Sequence, residues 1–240
     1  MWEATVDGRI LHFHLAGINN QNFIMRDDET GSWWQQVTGE AIVGPLKGQH
    51  LRSVFHDELT FGLWKQEKPQ GRVLRPDEGV ARAGEYAPAD WEKRMAKVRV
   101  TTSHNIGETL EPRALVVGLA INNLARAYPF EALLKQSPII DDVGGLPVFI
   151  LLGDDKKSVR AYESTVDGRK LEFFLKHDAS PLRLIDSETG SEWDFTGKAI
   201  GGALAGKQLK KIPVLNDYWF DWKTYHPDTI IYQLGDRWSE

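Results

Sequence analysis

The sequence predicts a mainly β chain (α+β) made of two tandem repeats of short antiparallel strands, each opened by a hairpin and closed by a short helix. Three observations carry that expectation. EATVDGRILHF at 3–13 recurs as ESTVDGRKLEF at 163–173, and the match continues through ETGSWW and ETGSEW, then TGEAIVGPLKG and TGKAIGGALAG. Asp-Gly pairs stand between apolar-polar alternations in both copies, and this dipeptide supplies the positive φ angles of a two-residue hairpin. The turn residues recur at intervals that leave only strand-sized segments between them.

Taken in order, Asp7-Gly8 and Asp167-Gly168 are the first turns of the two copies. Beyond them Leu11, Phe13 and Leu15 fall on one strand face, as do Leu171, Phe173 and Leu175, because side chains alternate with period two. That face is expected to meet the core. Later turns at Thr30-Gly31, Thr38-Gly39 and Gly44-Pro45 have counterparts at Thr189-Gly190, Thr196-Gly197 and Gly202-Ala203. Segments carrying Trp34, Ala41-Ile42 and Leu51 lie between them, mirrored by Trp193, Ala199-Ile200 and Leu209.

Each copy closes on a short helix around Trp64-Lys65 or Trp222-Lys223, stopped by Pro69 or Pro227. Asp57 is the expected cap of the first helix, and Asn216 or Asp217 that of the second. Trp34, Trp64, Trp193 and Trp222 occupy matched positions and are expected core anchors. Trp33, Trp91, Trp219 and Trp238 lack a matched Trp and are expected to be partly exposed.

Between the copies, 76–112 reads as a charged, Gly- and Pro-bearing linker with a helix near Asp90 to Lys97. From Leu115 the pattern is strand, Asn122-Asn123 turn, strand to Tyr128-Pro129, short helix through Leu134, Gly144-Gly145 turn, and a buried strand Pro147 to Leu152. The organisation is therefore a partial unit at 1–75 holding the back half only, the linker, and a complete unit at 113–235. The missing front half is expected to leave strand edges of the first unit open to self-association, unless the linker or the second unit covers them.

Composition narrows function by exclusion. The 240 residues hold no cysteine, so disulfides and thiolate chemistry are excluded for this stretch. A net charge of −5 gives no reason to expect nucleic acid as a partner. No apolar run is long enough to span a bilayer, and no leader pattern stands at Met1. Nucleophile elbow, phosphate loop, dinucleotide fingerprint and paired-histidine zinc helix are absent, and no cofactor is implied.

Weaker chemical candidates stand beside plainer readings. His12 and His14 alternate on a strand about 7 Å apart and would begin a metal site if His50 or His56 converged on them. An outward polar face competes with that reading, favoured by Glu172 and Phe174 in the second copy. Asp141-Asp142 reads as a solvated turn rather than an acid/base pair. Glu29 and Glu188 precede Thr-Gly turns, where local hydrogen bonding accounts for them.

VVGLAINNLARAYPFEAL, IIDDVGGLPVFI, TVDGRKLEF, ETGSEWDFTGKAIGGALAG and DWKTYHPDT together resemble the bacterial family catalogued as domain of unknown function 3179, in the family's own order. The resemblance covers nearly all of 113–235, and 2–74 resembles the family's second half. Members of the family place a Cys-Pro-x-Cys-Gly segment shortly before an aromatic that aligns with Tyr162. Here that stretch is Gly153-Asp154-Asp155-Lys156-Lys157, and both cysteines are missing. In the first copy the aligned aromatic is Trp2, which would place the segment upstream of Met1. Selenoprotein-type relatives suggest a selenocysteine codon there and Met1 as an internal start. The resemblance also implies an extracytoplasmic home. Two functions follow as expectations: a non-catalytic structural or binding module as the chain stands, or a fragment of a thiol or selenol redox protein.

Overall fold

The structure, a computed structural model, describes residues 1–19, 21–75, 88, 90–101, 106–107 and 109–235. About half of the expected linker, and Trp238, lie outside the described residues. With 39% strand against 12% helix the chain is mainly β.

The first 75 residues begin with a hairpin of β1 (Thr5–Val6) and β2 (Arg9–Ile10). Its turn has φ 49° at Asp7 and 76° at Gly8, the left-handed pair that the sequence demands. A four-stranded antiparallel meander follows: β3 (Phe13–Asn19), β4 (Asn22–Asp27), β5 (Trp33–Gln35) and β6 (Ala41–Val43). Helix α1 spans Phe61–Glu67, and α2 spans Trp91–Met95 within the expected helix.

The rest opens with β7 (Leu115–Ile121), β8 (Leu124–Pro129), α3 (Phe130–Lys135), β9 (Ile139–Val143), β10 (Leu146–Leu152) and β11 (Val159–Glu163). A second hairpin, β12 (Thr165–Val166) and β13 (Arg169–Lys170), turns at Asp167 and Gly168 with φ 50° and 77°. It leads into a second meander of β14 (Phe173–Leu175), β15 (Arg183–Asp186), β16 (Glu192–Asp194) and β17 (Ala199–Gly201). Then come β18 (Lys211–Ile212), β19 (Leu215–Tyr218), α4 (Trp219–Tyr225) and β20 (Ile230–Ile231). β18 joins β11, β10 and β9 in one sheet, and β19 joins β7, β8 and β20 in another. β20 runs parallel to β8, one departure from the expected antiparallel pairing.

β10 shows how alternation builds the interior. Val148, Ile150 and Leu152 face a core with Val117, Leu119, Leu133 and Ile139. Phe149 and Leu151 face the opposite core, with Tyr162, Phe173, Leu184 and Trp193. A strand buried on both faces reads as a continuous apolar run, and each such side chain contributes about 1.5–3 kcal/mol by leaving water.

The first meander has a smaller core of Val6, Leu11, Trp34, Ala41 and Leu51. Here the expected core face fails at its third position. Leu15 is 62% exposed, because β3 and β4 run past the end of this small core and carry Leu15, Ile18 and Phe23 into solvent. Leu175 is also exposed, at the end of a shorter strand.

Two tryptophan expectations are corrected. Trp64 is only partly buried: α1 has no sheet of its own beneath it, and the ring stacks on Phe61 with centroids 5.7 Å apart. Trp219 is fully buried, on the core that α4 forms against Val116 and Ala127. Trp222 lies flat on β7, where a Cβ at Gly118 would fall 2.2 Å from its ring. Trp34 and Trp193 have no exposed surface, and Trp33 and Trp91 are partly exposed.

Candidate functional site

The chain segments that end in α1 and α4 each reach across to the opposite meander, forming two junctions between the halves. At the first, α1 is capped by Thr60, whose hydroxyl oxygen accepts from the Leu63 N–H, rather than by Asp57. The Thr60 hydroxyl donates to Asp155 at 2.7 Å, and its N–H donates to Ser158 Oγ at 3.0 Å. Asp57 is used elsewhere. Arg160, on β11, is buried and donates to Asp57 at 2.8 Å and to both oxygens of Glu67 at 2.6 and 2.8 Å. Lys211 adds a bond to Asp57 at 2.6 Å. Leu59 and Leu63 fill the space between, against the Phe149 core.

This junction is electrically balanced and closed. Burial pushes the Asp57 carboxyl up, but Arg160 and Lys211 outweigh it and hold the group below its ordinary value. The same ion pairs keep Arg160 firmly protonated despite its burial. Asp155 likewise sits below its ordinary value, because bonds from Ser158, Thr60 and Lys157 outweigh its desolvation. Gly153–Lys157, which the resemblance aligns with the cysteine segment, is thus a tight turn closed by Asp155, whose carboxylate accepts from the N–H groups of Lys157 and Ser158.

The second junction is open. A cleft of about 570 Å³ lies between Met1, Trp2, Asn22, Gln36 and Glu58 on one side and Leu215, Asn216, Asp217, Asp221, Trp222 and His226 on the other. Asn22 donates to Asp221, and Gln35 donates to Tyr225 Oη at 2.8 Å, which seats α4 on the first meander. Asp217 is not the side-chain cap of α4. Tyr218 occupies the cap position without a side-chain bond, and Asp217 accepts from its N–H at 2.7 Å.

Asp217, near the end of β19, and Asp221, in the first turn of α4, are hydrogen-bonded to each other. Burial and the Asp221 charge push the Asp217 carboxyl up to about 8. Burial raises Asp221 as well, and Asp217 keeps its proton at neutral pH. Glu58 accepts from Asn216 at 2.9 Å and faces His56 at 3.6 Å. His226 stacks on Trp222 with centroids 3.9 Å apart, and burial lowers its basicity.

The residues singled out from sequence fall elsewhere. His12 Nδ1 meets Glu29 at 2.6 Å and His14 Nδ1 meets Asp28 at 2.8 Å, so each ring pairs with its own carboxylate. His50 and His56 face Glu40 and Glu58 instead. Among the described residues, no group of three or more His, Cys, Asp or Glu is placed to hold a metal ion. Glu29 accepts from the His12 N–H and Glu188 from the Glu172 N–H, both at 2.9 Å. Each thereby latches its Thr-Gly turn to the neighbouring strand. Asp141 is more than a turn residue: it accepts from Arg126 at 2.9 Å and from the buried Tyr128 hydroxyl at 2.8 Å.

Sequence reasoning missed the structural pair Asp27 and Asp186, which accept from the indoles of Trp34 and Trp193 at 2.8 and 2.9 Å and from the Thr30 and Thr189 hydroxyls. Their signal was present, an Asp seven residues before each matched Trp. It also missed Asp217 and Asp221 as an acid pair. Their signal was subtler: with Trp222 aligned on Trp64, they stand where the N-terminal stretch has Leu59 and Leu63.

A family model described as protein of unknown function (DUF3179) matches residues 1–229. No curated protein and no solved structure matches the chain.

Proposed function

The chain belongs to this family of unknown function, and on that premise we propose that it is a non-catalytic binding module whose site is the cleft between the halves. The organisation underlying the reading is a partial unit at 1–75, a linker at 76–112 and a complete unit at 113–235. The observation that carries it is the Asp217–Asp221 pair. Two mostly buried carboxyls where β19 runs into α4 cost stability, and the closed junction is served at the matched positions by leucines. Groups that a fold does not need, placed in a cavity of ligand size with aromatic walls, are the mark of a binding site.

The test is a fragment survey by NMR on protein labelled at its tryptophan indoles. Trp2 and Trp222 line the cleft and report on it. Hits that shift these two signals, and leave the enclosed Trp193 signal in place, support the reading. A survey whose hits gather elsewhere, or that finds none, overturns it.

A second reading is favoured by one feature of the same cleft. Met1 and Trp2 line it, so residues preceding Met1 would enter beside Asp217 and Asp221. A Cys-x-x-Cys or selenocysteine motif there would make the chain a fragment of a thiol or selenol redox protein. The upstream nucleotide sequence decides: an in-frame extension carrying such a motif, with UGA read through, supports it, and a stop codon of another kind at once overturns it. The open edge and apolar tip of β3 and β4 also favour self-association of the first unit, which sedimentation at rising concentration tests.

A further inference from the structure

We propose that the cleft takes a small aliphatic amine as its ammonium ion, with the charged end between Asp217, Asp221 and Glu58 and the alkyl chain against Trp222. The proposal rests on the reading of the cleft as a binding site and names the ligand class.

Acceptors outnumber free donors around the cavity. Three carboxyl groups line it, whereas the Asn22 amide is spent on Asp221 and the Asn216 amide on Glu58. The remaining amide oxygen, Asn216 Oδ1, is buried and has no hydrogen-bond partner. A buried acceptor without a donor costs roughly 1–3 kcal/mol, so an incoming N–H group is rewarded there. Among the described residues no lysine or arginine lines the cleft. Beside the Asp221 and Glu58 carboxyl groups a ligand anion is repelled and a ligand cation attracted.

The walls fit the other end of such a ligand. Trp2, Pro213, Val214, Leu215 and Trp222 are apolar, and indole faces also attract cations. A volume of about 570 Å³ accommodates a chain of a few carbons with its first waters. The Asp217 proton completes the scheme. When the ammonium ion arrives, the Asp217 O–H bond breaks and its proton leaves to solvent, so the cation replaces the proton between the two carboxylates.

Calorimetric titration with n-pentylamine tests this, with pentan-1-ol and pentanoate as neutral and anionic counterparts of the same length. The expected result is saturable binding of the amine alone, with release of about one proton at pH 7, read from the dependence of the heat on the buffer. The affinity should rise about tenfold per pH unit below pH 8 and level off above it, since Asp217 titrates there. Glu58, His56, His226 and Met1 also line the cavity, so the Asp217→Leu variant is titrated in parallel and should lose the pH dependence. The double variant Asp217→Leu/Asp221→Leu installs the leucines of the closed junction. It should keep its fold and lose binding more than tenfold. Equal amine affinity in the double variant, or no proton release, overturns the proposal. Preferential binding of pentanoate or pentanol at Trp222 overturns the amine while the cleft reading stands. An empty fragment survey removes both.

Discussion

The two junctions between the halves meet the same task with opposite chemistry. At one, Leu59 and Leu63 fill the space, and Arg160 and Lys211 together answer the Asp57 and Glu67 carboxylates. At the other, Asp217 and Asp221 hold the matched positions, the space stays open, and among the described residues no lysine or arginine answers them. The closed junction shows what the fold requires there. Whatever the open junction has beyond that, it has for another reason.

The largest expected loss from a substitution comes from removing the buried basic partner of the closed junction. Arg160→Met keeps much of the stem's packing but leaves Glu67 without the guanidinium and Asp57 with Lys211 alone, in a place with little water. Breaking a buried ion pair by deleting one partner costs about 3–5 kcal/mol, and the low end, about 3 kcal/mol, is expected because both carboxylates retain some exposure. Urea unfolding measures it. A loss below about 1 kcal/mol would mean that Leu59 and Leu63 alone close the junction and that the contrast between the two sides is one of shape, not charge.

How much of this contrast could be read in the sequence depends on the range of the interactions. The Asp7-Gly8 and Asp167-Gly168 turns were legible because φ preference is decided within two residues. The β7 to β10 region was legible because a two-sided apolar strand such as 146–152 carries its burial in its own composition. Trp64 and Trp222 show where that stops. The same residue, at matched positions in helices of equal length, is half-exposed in one and sealed in the other, because only Trp222 has a strand with Gly118 beneath it. Asp57 and Asp217 read as helix caps for the same reason: their true partners, Arg160 and Asp221, are set by which helix meets which sheet. Arg160 lies about a hundred residues from Asp57, and no local pattern announces that meeting.

pH separates the junctions at opposite ends of the scale. Asp57 has a lowered folded pKa, so its contribution is present above the ordinary value of 3.8 and is lost as pH falls below it. Asp217 has a raised one. Between 3.8 and about 8 the folded state holds a proton that the unfolded chain has released, so stability falls as pH rises through that window and is flat above it. We expect roughly 3–4 kcal/mol less stability at pH 8 than at pH 5 from this group, and a loss of that slope in Asp217→Leu, with urea unfolding at several pH values as the measurement. A slope unchanged by the substitution would place the proton elsewhere and make the two junctions electrically alike.

The smallest effect sits at the helix starts. Thr60 caps α1 and also donates to Asp155, whereas Tyr218 begins α4 with no side-chain cap at all. Thr60→Ala removes both bonds and should cost about 1 kcal/mol, the usual value of a lost cap. Thr60→Ser keeps the hydroxyl and should stay within about 0.5 kcal/mol of the parent. If the alanine variant loses nothing, the Asp155 turn and the Arg160 cluster already fix α1, and its cap is redundant. If it loses much more, Thr60 is holding the Asp155 turn as well as the helix. The closed junction would then depend on the Gly153–Lys157 turn as well as on the helix start.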